Sequence, residues 1–303
     1  VPVTERPTAR VRALGRAIDE WGSSGVGTTR RDDLPWRTTR DPWAVLVSET
    51  LAQQTQLSRV IPAYHRFLES YPDPSACALA PLGDVLIAWE GMGFNRRARN
   101  LHRAAAMVVA DHGGAVPDDL DALLALPGVG RYTARAILAF AFERDVGMID
   151  TNAGRILSRA VSGSRLKPAA AQALVDAMVP SGRGWSFGQA LLDLGATVCT
   201  TRAPDCPACP LRRRCIWLRD GCPDPDPANG SAGVSVAQSR FAGSDRQGRG
   251  RLVAALRRGP VPLDALATAA GWPDNAARAV RIADGLVAEG LAVRDGVGTM
   301  RLP

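Results

Sequence analysis

The stretch Leu126-Pro-Gly-Val-Gly-Arg-Tyr-Thr-Ala134 constrains this chain more than any other. Ahead of it, Leu120–Leu126 reads as the end of a short helix. After it, Tyr132–Phe142 reads as a second, apolar helix. Pro127, Gly128 and Gly130 force a tight turn between the two. Such a turn leaves the first amides of the second helix unpaired and directed outward. Two residues without side chains, Gly128 and Gly130, let a phosphate approach those amides, and Arg131 adds a cation beside them. An ordinary helix–helix connection uses the same residue types, so the rest of the chain must separate the two readings.

The bulk properties lean towards a polyanionic partner. The chain has 303 residues, room for one large domain or two smaller ones, and a net charge of +7. Its cations are almost all arginine, with Lys167 the sole lysine. No apolar run reaches the ~18–20 residues that span a bilayer, and the charged N-terminus lacks a signal-peptide core. The expectation is a soluble, intracellular protein that is not associated with a membrane.

Four of the six cysteines are crowded together as C-x6-C-x2-C-x5-C, at Cys199, Cys206, Cys209 and Cys215. Four thiolates this close suit a tetrahedral zinc site or an iron–sulfur cluster, and spacing alone does not choose between them. Structural disulfides do not fit an intracellular chain. Arg202, Arg212, Arg213, Arg214 and Arg219 surround the set, so a metal that pins this loop presents their charges to phosphates. Cys77 and Cys222 read as ordinary thiols. His65, His102 and His112 form no metal-spaced set and read as structural.

Two carboxylates stand in apolar company. Glu49 sits within Trp43–Gln54, a mostly apolar helix opened by Asp41-Pro42. Partial burial there raises a carboxyl towards the range of a general acid, whereas a solvated helix face leaves it unremarkable. Asp150 follows the apolar Val146–Ile149 and precedes a helix predicted over Ala153–Arg159. It reads as a helix cap or as one member of the acid–carboxylate pair that glycosidic-bond cleavage uses.

The C-terminal piece reads as separate. Pro223–Gln247 has linker composition. Gly248–Pro303 shows helical patterns at Arg251–Arg258, Leu263–Ala270 and Asn275–Glu289, then a hairpin with Asp295-Gly296 at its turn. This suggests a winged-helix-like module at 248–303. Such a module binds DNA or only packs against a neighbour, and Arg278 and Arg281 on its third helix are the residues that bear on the choice.

Taken together, these residues resemble the helix-hairpin-helix DNA glycosylases, most closely the A/G-specific adenine glycosylase branch and its actinobacterial members. The resemblance is carried by Leu34-Pro-Trp-Arg37, Ser48-Glu49, Gln53-Gln-Thr-Gln56, Gly91-Met-Gly93, Arg97-Ala-Arg-Asn-Leu101, Leu126–Ala134, Asp150-Thr-Asn152, Gln189-Ala-Leu-Leu-Asp-Leu-Gly195 and the four cysteines. It implies a mainly α fold (HhH-GPD) with an iron–sulfur loop. A catalytic domain would span 1–222, built from a six-helix module (41–152) and a cluster-bearing module (1–40 and 153–222), with the site in the cleft between them. A linker at 223–247 would then lead to the C-terminal domain.

The resemblance also implies roles. Glu49 would protonate adenine and later activate water, and Asp150 would stabilise the sugar cation. Tyr132 and Asn152 would hold the carboxylates. Leu34, Trp36 and Gln189 would line the base pocket, Gln53 would fill the gap in the duplex, Phe94 would be the wedge, and Gln54 belongs to the same pocket-and-wedge set. Gly128, Gly130, Arg131 and Arg97 would grip the DNA backbone. The cysteines would hold a [4Fe-4S] cluster in preference to zinc. The partner would be double-stranded DNA carrying a mismatch or an oxidised guanine. Related lyases place a lysine where Tyr132 stands, so base removal without strand cleavage is expected. Gly93-Phe-Asn-Arg96 departs from the family's usual Gly-Tyr-Tyr or Gly-Tyr-Pro. Two alternatives stand beside this reading: a T/G or U/G mismatch glycosylase, and a non-catalytic DNA-binding iron–sulfur protein.

Overall fold

The structure, a computed structural model, describes residues 9–24, 33–234 and 240–303. Its helices are α1 (Ala9–Ser23), α2 (Pro42–Ala52), α3 (Leu57–Ser70), α4 (Pro74–Leu79), α5 (Leu82–Ala88), α6 (Arg96–His112), α7 (Leu120–Ala125), α8 (Arg131–Phe140), α9 (Thr151–Ile156), α10 (Pro168–Met178), α11 (Gly184–Asp193), α12 (Ile216–Arg219), α13 (Asp245–Arg258), α14 (Leu266–Ala270) and α15 (Ala276–Ala288). The strands β1 (Val261–Pro262), β2 (Val293–Arg294) and β3 (Thr299–Arg301) all lie near the C-terminus.

The chain divides into two compact units. The first takes in Val1–Val45, Asp118–Asp121 and Val129–Ala237; the second takes in Leu46–Pro117, Ala122–Gly128 and Gln238–Pro303. The boundaries differ from those expected: α8 and Asp150 belong with the cysteines, and 248–303 belongs with α3–α6. The reason for the first is packing. All of Ala136–Phe140 on α8 is buried, and a buried helix follows its apolar neighbours, not its place in sequence.

In the first unit, Val11, Leu14 and Ile18 recur on one face of α1 and bury it among α9, α10 and α11. The approach is close: a Cβ on Gly15 would stand 1.8 Å from the Met178 carbonyl oxygen. Both α9 and α11 run on into π-helical turns, Leu157–Ser162 and Leu194–Val198. The expected linker is shorter than its composition suggests. Ala228 and Ser231 are buried, the Ala232 amide donates to the Leu166 carbonyl at 3.0 Å, and Ser231 Oγ accepts from the Leu166 amide at 3.0 Å. Pairing these backbone groups draws Asp226–Val234 onto the unit. Residues 235–239 lie outside the described residues.

In the second unit, α3, α5 and α6 enclose Trp89, which is fully buried and meets Phe67 edge-on at 5.8 Å. Buried Ala98, Leu101, Ala105 and Val108 form the inner stripe of α6. His102 Nε2 lies 2.9 Å from the Ala80 carbonyl, the structural role expected of it. The C-terminal elements run helix, strand, helix, helix, strand, strand, with β3 antiparallel between β1 and β2. That is the order of a winged helix. Asp295 shapes the hairpin by accepting from the Thr299 amide at 2.8 Å. Arg278 is held inside the module, by Asp245 at 2.7 Å and over the Trp272 ring at 3.9 Å, and Arg281 lies 3.5 Å from Asp245. Among the described residues no helix is long and apolar enough to cross a membrane.

Candidate active site

Asp150 caps α9. Its Oδ1 accepts from the Ala153 amide at 2.8 Å, and its Oδ2 accepts from Asn152 Nδ2 at 3.0 Å. Desolvation raises its pKa above the ordinary carboxylate value, and these two donors partly offset the rise. The capping reading and the functional one are therefore compatible, since one side chain satisfies a helix terminus and still presents a half-buried carboxylate.

Arg155, one turn along α9, extends this arrangement. It donates to Asn152 Oδ1 at 2.8 Å, to the Gly195 carbonyl at 2.6 Å and, from Nε, to the Cys199 carbonyl at 2.6 Å. A continuous hydrogen-bonded path thus runs from the first cysteine of the loop to the Asp150 carboxylate. It depends on close packing, for a Cβ at Gly195 would fall 2.4 Å from Asn152 Cβ. On the other side, Gly233 takes φ +79, and a Cβ there would fall 2.4 Å from the Asp150 carbonyl oxygen. The Thr151 hydroxyl donates to the Gly233 carbonyl at 2.9 Å.

The expected pocket residues of this unit also have clear supports. Leu34 is buried and Trp36 half-buried at a 3-10 turn, Pro35–Arg37. The next residue, Arg37, forks onto Asp193 with contacts of 2.9 and 2.6 Å, both side chains being less than one-tenth exposed (7% and 3%). Gln189 is buried on α11, one turn before Asp193, so both project from the same side of that helix. The ion pair thus pins the Leu34–Arg37 segment to α11. Sequence reading passed over Arg37, Asp193 and Arg155 as anchors. Only their place inside the quoted motifs hinted at a role. Tyr132 lies half-buried in the first turn of α8.

The hairpin has the anticipated geometry. Gly128 takes φ +84, and a Cβ there would meet Asn100 at 2.9 Å. Gly130 precedes α8 with no side-chain cap, and nothing lies within 4 Å of where its Cβ would be. Arg131 is exposed beside it. The start of α8 is thus without a side-chain cap from Gly130.

In the second unit, Glu49 is half-buried on α2 between buried Ser48 and Thr50. Gln53 and Gln54 follow the helix, and Gln54 takes φ +53. Phe94 takes φ +45 and is 47% exposed. Left-handed non-glycine residues are uncommon and gather at functional loops. Here one correction is required. Arg97 does not face outward as a phosphate contact. Its guanidinium donates inward to the carbonyls of Thr50, Leu51, Gln53 and Met92 and to Thr55 Oγ1, at 2.7–3.1 Å. Burial brings its pKa down to about 10. The residue ties the loop of Gln53 to the loop of Phe94, because Thr50, Leu51 and Gln53 stand at the end of α2 and Met92 stands just before Phe94.

All four cysteines line one cavity, with Arg159, Leu194, Leu211 and Trp217 among its other walls. Arg159 Nη1 lies 3.8 Å from Cys199 Sγ, and its guanidinium pairs with Asp226. Among the described residues, no three His, Cys, Asp or Glu side chains converge closely enough to hold a single metal ion. Four thiols on one cavity are a donor set for a metal centre.

The hairpin, the capped aspartate and the cysteine-lined cavity define a helix-hairpin-helix base-excision protein. In agreement, residues 47–179 match the HhH-GPD superfamily base excision DNA repair protein family. Among solved structures, a thermostable thymine-DNA glycosylase superposes with a TM-score of 0.65 at 31% identity, over 70% of this chain and 97% of that one. Endonuclease III trapped on DNA superposes with a TM-score of 0.59 at 25% identity, over 70% and 99%. The adenine DNA glycosylase of Mycolicibacterium smegmatis is 40% identical over 276 residues, 90% of this chain and 92% of that protein. The human adenine DNA glycosylase is 36% identical over 224 residues, 69% of this chain and 40% of that protein. The chain belongs to the adenine DNA glycosylase family.

Proposed function

We propose that this protein removes adenine paired with 8-oxoguanine or guanine in double-stranded DNA, acting as a monomer, by hydrolysis of the N-glycosidic bond. The observation that carries the reading is Asp150, a half-buried carboxylate held by the Ala153 amide and the Asn152 side chain, in a chain of this family.

A base within a duplex is out of reach and must be flipped out. Leu34, Trp36 and Gln189 receive the adenine, Gln53 and Gln54 occupy the gap it leaves, and Phe94 wedges beside the opposing base. Glu49 donates a proton to the adenine ring nitrogen as the glycosidic bond breaks, and then takes one from the attacking water. Asp150 stabilises the oxocarbenium-like sugar, by charge or by a transient bond. Tyr132 and Asn152 hold the carboxylates in place. The amides beside Gly128 and Gly130, with Arg131, grip the backbone. Cys199, Cys206, Cys209 and Cys215 hold a [4Fe-4S] cluster. With the cluster bound there, the four cysteines would keep the loop in shape, and exposed Arg202, Arg212, Arg213 and Arg214 would face phosphates.

Tyr132 offers no amine for a Schiff base, so base release proceeds without strand cleavage. Single-turnover assays on duplexes with A opposite 8-oxoguanine, G or T, and with T or U opposite G, read with and without alkali, test this. Adenine release from the first two, with breaks only after alkali, is the expected result. Breaks forming without alkali at the rate of base release would remove the hydrolytic mechanism. The likeness to thymine-DNA glycosylase supports a second reading; release from T/G or U/G alone would favour it.

The path through Arg155 makes a further prediction. Arg155→Gln cannot span Asn152, Gly195 and Cys199 together, so Asn152 loses its anchor. Base release is expected to slow about 10–100-fold, the usual effect of losing a group that orients a site residue. Unchanged single-turnover rates in a folded variant would show that Asn152 needs no such anchor.

A further inference from the structure

The C-terminal elements are seated on the loop that carries Phe94. Arg257, in the last turn of α13, donates from Nε to the Leu86 carbonyl at 2.8 Å and from Nη2 to Asn95 Oδ1 at 2.9 Å. Leu86 lies on α5, before the loop, and Asn95 follows Phe94 directly. At the end of α15, the Glu289 carbonyl accepts from Arg99, and its carboxylate lies 2.5 Å from Arg249 and 3.5 Å from Arg96. A Cβ on Gly83 would stand 2.7 Å from the Pro303 carbonyl oxygen. Both flanks of the loop, α5 and the start of α6, are therefore held by residues of 248–303.

The loop has little stiffness of its own. Gly91 and Gly93 take φ +80 and +65 with open space where side chains would be. Phe94 at φ +45 occupies a conformation that L-residues seldom adopt. Contacts must hold it there: Trp89 Nε1 to the Gly93 carbonyl at 3.0 Å, Arg97 stacked 5.3 Å from the Phe94 ring, and Arg257 on Asn95.

We propose that the C-terminal module positions the wedge: through the Arg257–Asn95 hydrogen bond it fixes the Phe94 ring and so sharpens discrimination of the base opposite the excised adenine. This rests on the reading of Phe94 as the wedge residue. Arg257 is then a positioning residue that touches protein, not DNA. A ring held at one angle stacks unequally on different opposing bases, whereas a ring free to swing stacks on them more evenly. Losing the tether therefore changes a ratio of rates more than it changes any one rate.

The experiment uses the full-length protein and the variants Arg257→Leu, Asn95→Ala, their combination, and Arg258→Ala as a control at the exposed end of the same helix. Single-turnover adenine release is measured opposite 8-oxoguanine, G and C. A second duplex carries 2-aminopurine beside the opposing base, whose fluorescence reports wedge insertion with or without chemistry. The expected result is a fall of about tenfold in the 8-oxoguanine preference for either single variant. The double variant should be no worse than the singles, Arg258→Ala should behave as wild type, and the 2-aminopurine signal should fall in step. Retained preference and signal in folded Arg257→Leu and Asn95→Ala would overturn the proposal. Additive losses in the double variant would also overturn it, since they would show two independent effects. Failure of the wild type to release adenine would instead sink the functional reading, while the 2-aminopurine signal would still test the tether.

Discussion

Asp150→Asn is expected to slow base release by about 10³-fold or more while leaving DNA binding and the fold in place. The substitution keeps an oxygen for the Ala153 amide and so keeps the cap of α9. It removes the charge that in the proposed mechanism opposes the developing sugar cation, and it turns the group facing Asn152 Nδ2 from an acceptor into a donor. Single-turnover kinetics and mobility-shift binding on the same duplex separate the two effects; equal losses in both would point to misfolding and not to chemistry. The raised pKa of Asp150 adds a pH signature. In the proposed mechanism the ionised form is the active one, so the wild-type rate should climb with pH through a value above the ordinary aspartate pKa of about 3.9. For stability the sign is opposite. A carboxyl whose pKa is raised by burial stabilises the fold fully below its unfolded pKa, and that contribution is lost as pH rises through the folded value. At neutral pH the wild type bears the penalty of a buried charge, so Asp150→Asn should melt no lower than wild type there, and the difference should shrink in acid.

The largest effect on stability is expected from Arg37→Ala. The guanidinium forks onto Asp193 with both groups out of water, and deleting it takes from a buried carboxylate its ion-pair partner. Such losses cost about 3–5 kcal/mol, which for a chain of this size lowers the melting temperature by roughly 10 °C or more. Circular dichroism on Arg37→Ala, Asp193→Ala and an Arg37→Met/Asp193→Leu pair checks this. The pair should recover much of the loss, because it removes both charges and refills the space. If either single variant melts with the wild type, the bridge is not what holds Leu34–Arg37 to α11. Adenine release should fall with stability, since Leu34, Trp36 and Gln189 take their places from this anchor.

Much of the local architecture was legible in the sequence. The hairpin was predicted with boundaries close to α7 and α8, because proline, two glycines and the resumption of an apolar period leave one solution. The C-terminal helices and the Asp295 turn were legible for the same reason; β1, only two residues long, was not. Asp150 was legible as a cap because capping is settled within three residues. Arg97 was misjudged. An arginine near a motif reads as a phosphate contact, yet its acceptors lie 42–47 positions earlier at the end of α2, apart from Met92. Pro223–Gln247 was read as linker from composition, but backbone pairing with Leu166 holds part of it against α9.

By itself, then, the sequence determined the hairpin, the spacing of the cysteines, the Asp150 cap and the helical order of the tail. Each of these is decided by residues a turn or two apart, where steric and propensity rules act directly. Only the tertiary structure decided that Arg37 meets Asp193 across 156 positions, that Arg155 joins the cysteine loop to Asn152, and that Arg257 reaches Asn95 from the C-terminal module. A buried charge must find a partner, but which one it finds depends on helices brought together by their apolar faces, and no local pattern carries that choice.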